Sequence, residues 1–480
     1  MGALDFLIGQ QPRIEHWIST YWNRRAVKKP APPLPDGVWD AGAEAGPCFT
    51  AGFGRAAFTP TDVGQKTYWL AGYGANRPAK SVHSDICASA VFLDDNTGRG
   101  ALLLISLDCV GLLRDDVLVI RQRLGSYCAI TGCRAVHVFS THCHAAPDTM
   151  GLWGKLPRSG RDNAFMERLY EAACEAARLA YRGRKNGRLF AGDTEAEGIQ
   201  KDIRYPEVFC KTLTRLRFVP EDGSAQTWML NFAAHPEVMD QRNRAVSADY
   251  VHFLRSKIEA EQGANVLYFN GAIGGMITPI EIDRDDFMKS VQWAGEEIAT
   301  AALRIDNERE LAPLINTIRQ EFYVELANIL FCLGGLAHLM PRERCATGEG
   351  PLGISVKTEM NYIEIGDVHI LTIPGELFPE LQLGGYLSAE EAAIGGPELN
   401  PKPLRALAKD ANLIVFGLGN DELGYILPPN DYLLHPERPF LEEPRDRHGR
   451  KHYEETNSAG PMTAFAVARA LERILRIIGR

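Results

Sequence analysis

Short apolar runs bounded by polar or glycine residues alternate along this chain with longer stretches in which apolar positions recur every three and four residues. ALLLISLDCVGL (101–112), AVHVFSTHCH (135–144), TWMLNFAAHP (227–236) and NVLYFNG (265–271) are of the first kind and predict strands, each ending in polar residues. The stretches 163–182, 247–262 and 285–304 are of the second kind and predict helices, with Ser247 as N-cap of the second; 460–478 predicts a closing helix. TEMNYIEIGDVHILTIPGE (358–376) alternates apolar and polar residues around Gly366-Asp367, the pattern of a tight hairpin whose second strand runs into Pro374-Gly375-Glu376. Strands alternating with helices predict an α/β fold of mixed β-sheets flanked by helices. The sequence contains no fixed-period repeat, which excludes a solenoid.

Residues 1–48 read as an N-terminal extension, a short amphipathic stretch followed by the proline-rich KKPAPPLPDG, which breaks helices and favours extended backbone. A single catalytic unit is expected over 49–480. Hydrophobic residues at 45% and charged residues at 24% are globular values, and a net charge of −9 gives no global positive field, so no nucleic-acid partner is expected. The most apolar window, Leu326 to Met340, is shorter than the roughly 20 residues that span a bilayer, so no transmembrane segment is expected. Its place is left open between an acyl channel, a subunit interface and a core helix. The opening residues carry Gln, Arg, Glu and His before any long apolar run, against a signal peptide. Ten scattered cysteines without a CxxC pair fit a reducing compartment, and a cytoplasmic location is the expectation.

Ser140-Thr141-His142-Cys143-His144 follows an apolar strand, and side chains two apart on a strand share a face, so His142 and His144 can address one point. Three further strand ends carry metal-ligating types: His235 in NFAAHP, Glu376 after Pro374-Gly375, and Tyr425 after LIVFGLGN. Singly, each has an ordinary reading as a loop histidine, a core histidine, a helix-capping carboxylate or a packed aromatic. Together they suggest a metal site at converging strand ends.

These stretches resemble the catalytic domain of the neutral (non-lysosomal) ceramidases and their bacterial relatives. GYGANRP (72–78), FSTHCHAAPD, NFAAHPEV, SADYVHFLRSKIEAEQGANVLYFNGAIGG, LTIPGELFPEL, GLGNDELGYILPPNDY and HYEETNSAGP follow the family's order over residues 50–478. The resemblance implies a Zn2+ ion held by His142, His235, Glu376 and Tyr425, with metal-activated water attacking an acyl carbon. His144, on the same face but outside that ligand set, is our choice for proton transfer to the leaving nitrogen, and the resemblance implies Arg204, in KDIRYPE, as a donor to the tetrahedral intermediate. The implied substrate is a small-molecule or lipid N-acyl amide, with a ceramide-like lipid among the candidates. The same site would serve an ester, a lactone or a non-lipid amide, and a non-catalytic metal- or lipid-binding relative would keep the fold. The sequence departs from the family pattern at Glu437, where a second active-site tyrosine is expected and Tyr432 and His435 are the nearest substitutes. It departs also at Gly275 and at Ala88-Ser89, where relatives often carry an aspartate and an arginine. In the family an immunoglobulin-like domain follows the catalytic one; this sequence ends at Arg480, so the catalytic domain alone is expected. Nothing in the sequence specifies an oligomeric state.

Overall fold

The computed structural model describes residues 11–23, 35–155, 158–336 and 342–480. Its larger sheet runs, in spatial order, Asn265–Asn270, Thr227–Phe232, Thr212–Pro220, Lys185–Glu195, Phe49–Ala57, Cys87–Asp94, Ala101–Leu107, Cys133–Ser140, with Arg309–Glu310 beside Lys185–Glu195. The outermost pairs at both ends are parallel and those between them antiparallel. A second sheet runs Asp36–Val38, Ile315–Glu325, Ile354–Ile365, Val368–Thr372, Ile414–Phe416, with Arg344–Ala346 on Ile354–Ile365.

The period-two geometry of a strand explains how these sheets layer. In Ala101–Leu107, Leu102 and Leu104 join a core shared with Ile363, Ile370 and Phe416 of the second sheet, while Leu103, Ile105 and Leu107 join a core containing Phe165 and Leu169 of the helix Asn163–Arg182. A strand buried on both faces has no solvent-facing side, which is why this stretch is apolar but for Ser106, whose buried hydroxyl donates to Tyr268 O at 2.6 Å. The helices Asn163–Arg182, Tyr250–Gln262 and Phe287–Leu303 cover the outer face of the larger sheet, and Thr463–Ile478 covers the second. The expected α/β fold with mixed sheets flanked by helices is therefore the observed one.

Three local outcomes differ from or sharpen the sequence reading. The helix after 247 starts at Tyr250 and its N-cap is Asp249, whose carboxylate accepts the Tyr250 N–H; Ser247 instead accepts the Asp249 N–H and pairs with Ser84. Asp249 has φ 53°, so the chain turns sharply before the helix begins. Within the expected extension, Asp36–Val38 pairs with Thr317–Arg319, Asp36 forms an ion pair with Arg319, Trp39 packs on Tyr362, and Ile18 is fully buried in the second core. The run from Leu326 contains the helix Ile329–Leu336, with Ile329 and Cys332 in the core; its positions 337–340 lie outside the described residues. The hairpin forms as expected, with Ile365 opposite Val368 and Gly366 at φ 61°. Among the described residues no helix is long and apolar enough to cross a membrane, and all ten cysteines are free.

Candidate active site

The carboxyl ends of Cys133–Ser140, Thr227–Phe232 and Val368–Thr372 are drawn together by loop hydrogen bonds between the two sheets. Asn420 N–H donates to Val138 O at 2.7 Å and its side-chain carbonyl accepts from Val138 N at 2.8 Å. Asn231 donates to Val415 O, and Gly417 N–H to Asn270 O. Buried amides thus take up the free backbone groups of the two edge strands Cys133–Ser140 and Ile414–Phe416.

The histidine pair arises differently from the expectation. The strand stops at Ser140, and His142 sits at φ 65°, so the two imidazoles converge through a left-handed turn and not through strand alternation. His142 Nδ1 lies 2.6 Å from Val110 O, and His235 Nδ1 lies 2.7 Å from Ile277 O. A carbonyl can only accept, so Nδ1 carries a proton in both rings, and each ring when neutral presents its Nε2 lone pair to the cavity. Glu376 enters from a short parallel pairing of Glu376–Leu377 with Tyr425–Ile426. Its Oε2 lies 3.0 Å from His235 Nε2 and 3.4 Å from His142 Nε2. Two nitrogen lone pairs and one carboxylate oxygen therefore point at one spot, a donor set that fits a zinc-like cation.

His144 completes a cluster in which the three imidazoles offer ligand atoms within 4.8 Å of one another. Both its ring nitrogens are buried without a hydrogen-bond partner, and Nδ1 is 3.5 Å from Glu237 Oε2, itself unpartnered. The GYGANRP stretch builds this position. A Cβ on Gly72, at φ 87°, would fall 2.1 Å from the His144 ring, so only glycine fits there. Tyr73 packs edge-on to His144 at 5.3 Å and donates its hydroxyl to Glu237 O, and Arg77 donates to His144 O. Asp249 braces the His235 loop by accepting the N–H groups of Val238 and Met239.

The electrostatics follow from burial. Desolvation, reinforced by the neighbouring imidazoles His142 and His235, holds His144 neutral, well below the usual histidine range. Burial opposes ionisation of Glu376, yet His142 and His235 hold it far below the carboxylate range. Burial likewise disfavours a charged His235, but its bond to Glu376 outweighs this and raises it.

Tyr425 lines the same cavity as His142, His144 and Glu376, with its hydroxyl on Met276 Sδ at 2.9 Å; burial and then Glu376 push its phenol upward. Arg204 lies in the adjoining outer part of the cleft, where both terminal nitrogens are engaged by Glu454, Glu455 and Asp431. It braces the segment after Lys451 and offers no free terminal N–H toward the imidazoles. Tyr432 bonds Ser458 and His435 faces Glu442, away from the cavity. The second tyrosine that lines it, beside Tyr425, is Tyr453, the two rings 6.4 Å apart. Glu237, Glu422 and Tyr453 were not singled out from sequence. Glu237, two residues after His235 in HPEV, and Glu422, three before Tyr425 in DELGY, sit close enough in sequence to a candidate ligand to serve as a signal; Tyr453 does not.

The remaining cavity wall mixes Leu152, Trp153, Leu326 and Phe331 with the charged Arg342, Arg344 and Glu422. Leu326 and Phe331 come from the apolar run whose place the sequence left open.

No family model and no curated protein matches the sequence. Solved structures do. The crystal structure of neutral ceramidase from Pseudomonas aeruginosa superposes with a TM-score of 0.68 at 14% identity, over 91% of this chain and 75% of that one. A ceramidase complexed with C2 superposes with a TM-score of 0.67, also at 14% identity, over 90% and 75%. This chain thus has the architecture of the neutral ceramidase structures, as its motifs led us to expect. At such identity the likeness speaks for the fold, and function rests on the site.

Proposed function

We propose that this protein is a metal-dependent hydrolase of N-acyl amides, with a ceramide-like lipid as the leading substrate candidate. The observation that carries the reading is the meeting of His142 Nε2, His235 Nε2 and Glu376 Oε2 in one buried cavity, each imidazole locked by a carbonyl on its far nitrogen. The shared architecture with neutral ceramidase structures supports the same class. His142, His235 and Glu376, with Tyr425 on the same wall, would hold Zn2+, and a bound cation would supply Lewis-acid polarisation of the acyl oxygen and a more acidic water.

The chain's own residues then supply proton handling and orientation. His144, neutral and unpartnered, can accept a proton from the attacking water and pass it to the leaving nitrogen as the C–N bond breaks. Glu237 flanks Nδ1 of His144, favouring a proton there and leaving Nε2 for the transfer. The Tyr453 hydroxyl is available as a donor to the acyl oxygen. Leu152, Trp153, Leu326 and Phe331 exclude water and offer an apolar surface to an acyl chain.

The test is turnover by zinc-loaded protein of paired amides and esters sharing one acyl chain, ceramide included. Zinc-dependent release of the amine is expected. Hydrolysis of the esters alone would replace this reading with an esterase, and turnover of neither would remove it.

A further inference from the structure

Glu422 belongs to DELGY, the stretch that also carries Tyr425, and its own side chain has no part in the chemistry above. It is 3% exposed and lines the cavity together with His142, His144 and Glu376. One oxygen, Oε1, accepts the Gly424 N–H at 2.8 Å; the other, Oε2, is buried with no hydrogen-bond partner. Buried carboxyl oxygens are almost always satisfied, because an unpaired one forfeits its hydration without return. The position is also built. Arg342 holds the segment by bonding the Asp421 carboxylate and the Glu422 carbonyl, and a Cβ on Gly111 would fall 2.8 Å from Glu422 Cγ. Gly111 follows Val110, whose carbonyl fixes the His142 ring, so Glu422 stands one residue from the support of the cluster.

We propose that Glu422 is a specificity-determining residue whose Oε2 binds a hydroxyl group carried by the substrate close to the scissile amide. The inference rests on the amide-hydrolase reading and adds to it which amides are taken. A hydroxyl suits the site because it both donates and accepts, whereas a methylene in its place would leave the carboxyl oxygen buried and unpaired. A site built to hydrogen-bond a substrate hydroxyl discriminates strongly against the analogue lacking it.

The test compares N-dodecanoyl ethanolamide with N-dodecanoyl propylamide, which differ by hydroxyl against methyl, on zinc-loaded protein. Wild type should favour the hydroxylated amide at least about tenfold in kcat/KM. Glu422→Leu should bring the ratio near one with zinc content unchanged, and Glu422→Gln, whose oxygen keeps the Gly424 N–H while its NH2 group donates to the hydroxyl from the Oε2 position, should retain most of the preference. If the leucine variant does not fold, Gly111→Ala, which pushes Glu422 out of place, should erode the ratio in the same direction. A wild-type ratio near one, or an unchanged ratio in Glu422→Leu, overturns the proposal. Calorimetric affinities for the two amides run in parallel separate this from the parent reading. A hydroxyl preference in binding that depends on Glu422, without turnover, would sink amide hydrolysis and keep the assignment; equal affinities without turnover would sink both.

Discussion

His235 Nε2 and Glu376 Oε2 stand 3.0 Å apart although 141 residues separate them in sequence. Each is fixed from behind: His235 by Ile277 O, Glu376 by the Gly424 carbonyl that receives its N–H. The pair favours a protonated imidazole beside a carboxylate, since, despite burial, His142 and His235 pull the Glu376 carboxyl down and Glu376 raises His235. A cation entering here must displace that proton. Metal affinity should accordingly fall as pH falls, because the raised imidazole stays protonated up to a higher pH than a free histidine. Calorimetric zinc titrations in buffers of different ionisation enthalpy should detect proton release on binding, and affinity that does not weaken from pH 8 to pH 6 would contradict this account of the pair.

His144 differs from His142 and His235 in having neither ring nitrogen engaged. His144→Ala should keep zinc while losing roughly 10²–10⁴-fold in amide turnover, the usual worth of general acid–base help. The loss should be greater for an amide than for an activated aryl ester of the same acyl chain, whose leaving group departs without protonation. Loss of zinc in this variant would instead make His144 a ligand, the alternative that the three-imidazole cluster allows.

Arg204 is a buried cation among Glu454, Glu455 and Asp431, and those carboxylates raise it above the ordinary arginine range despite burial. Removing it would strand three buried acids. Arg204→Ala should therefore destabilise the fold by about 3–5 kcal/mol, as for other broken buried ion pairs. Denaturant unfolding measures this directly. A stable variant impaired only in rate would return Arg204 to the role of oxyanion donor that the motif resemblance gave it.

The first 48 residues read in sequence as an extension, because prolines break the segment and every motif follows it. The structure ties Asp36–Val38 to the edge of the second sheet and buries Ile18 in its core. Deleting residues 1–48 should lower the melting temperature by uncovering that edge and the core beneath it. Differential scanning calorimetry of the truncated chain checks it, and an unchanged melting temperature would show these contacts to be negligible.

Much of the architecture was legible because burial dictates periodicity. Ala101–Leu107 is apolar at every position but Ser106 since both its faces are covered, and the hairpin at Gly366 alternates where one residue in two points between the sheets. The convergence of His142, His235 and Glu376 was legible through motif order. The reason given for pairing His142 with His144 was not the operative one, since a positive φ at His142 brings the rings together after the strand has ended. What stayed hidden depends on packing between segments distant in sequence. Tyr453 reaches the cavity on a segment braced by Arg204, and Glu422 stands beside Gly111 across the chain. Asp249 outcompetes Ser247 as the cap because the turn sits immediately before Tyr250. No local pattern announces these relationships.

The central claim is that His142, His235 and Glu376 form one cation site, and zinc stoichiometry measured by elemental analysis after reconstitution and exhaustive dialysis tests it most directly. Wild type should retain about one zinc per chain, as a site with three protein ligands and an open position does. His142→Ala, His235→Ala and Glu376→Ala, folded by circular dichroism, should each lose most of it. A wild-type chain that retains no zinc, or variants that all retain it in full, would contradict the account.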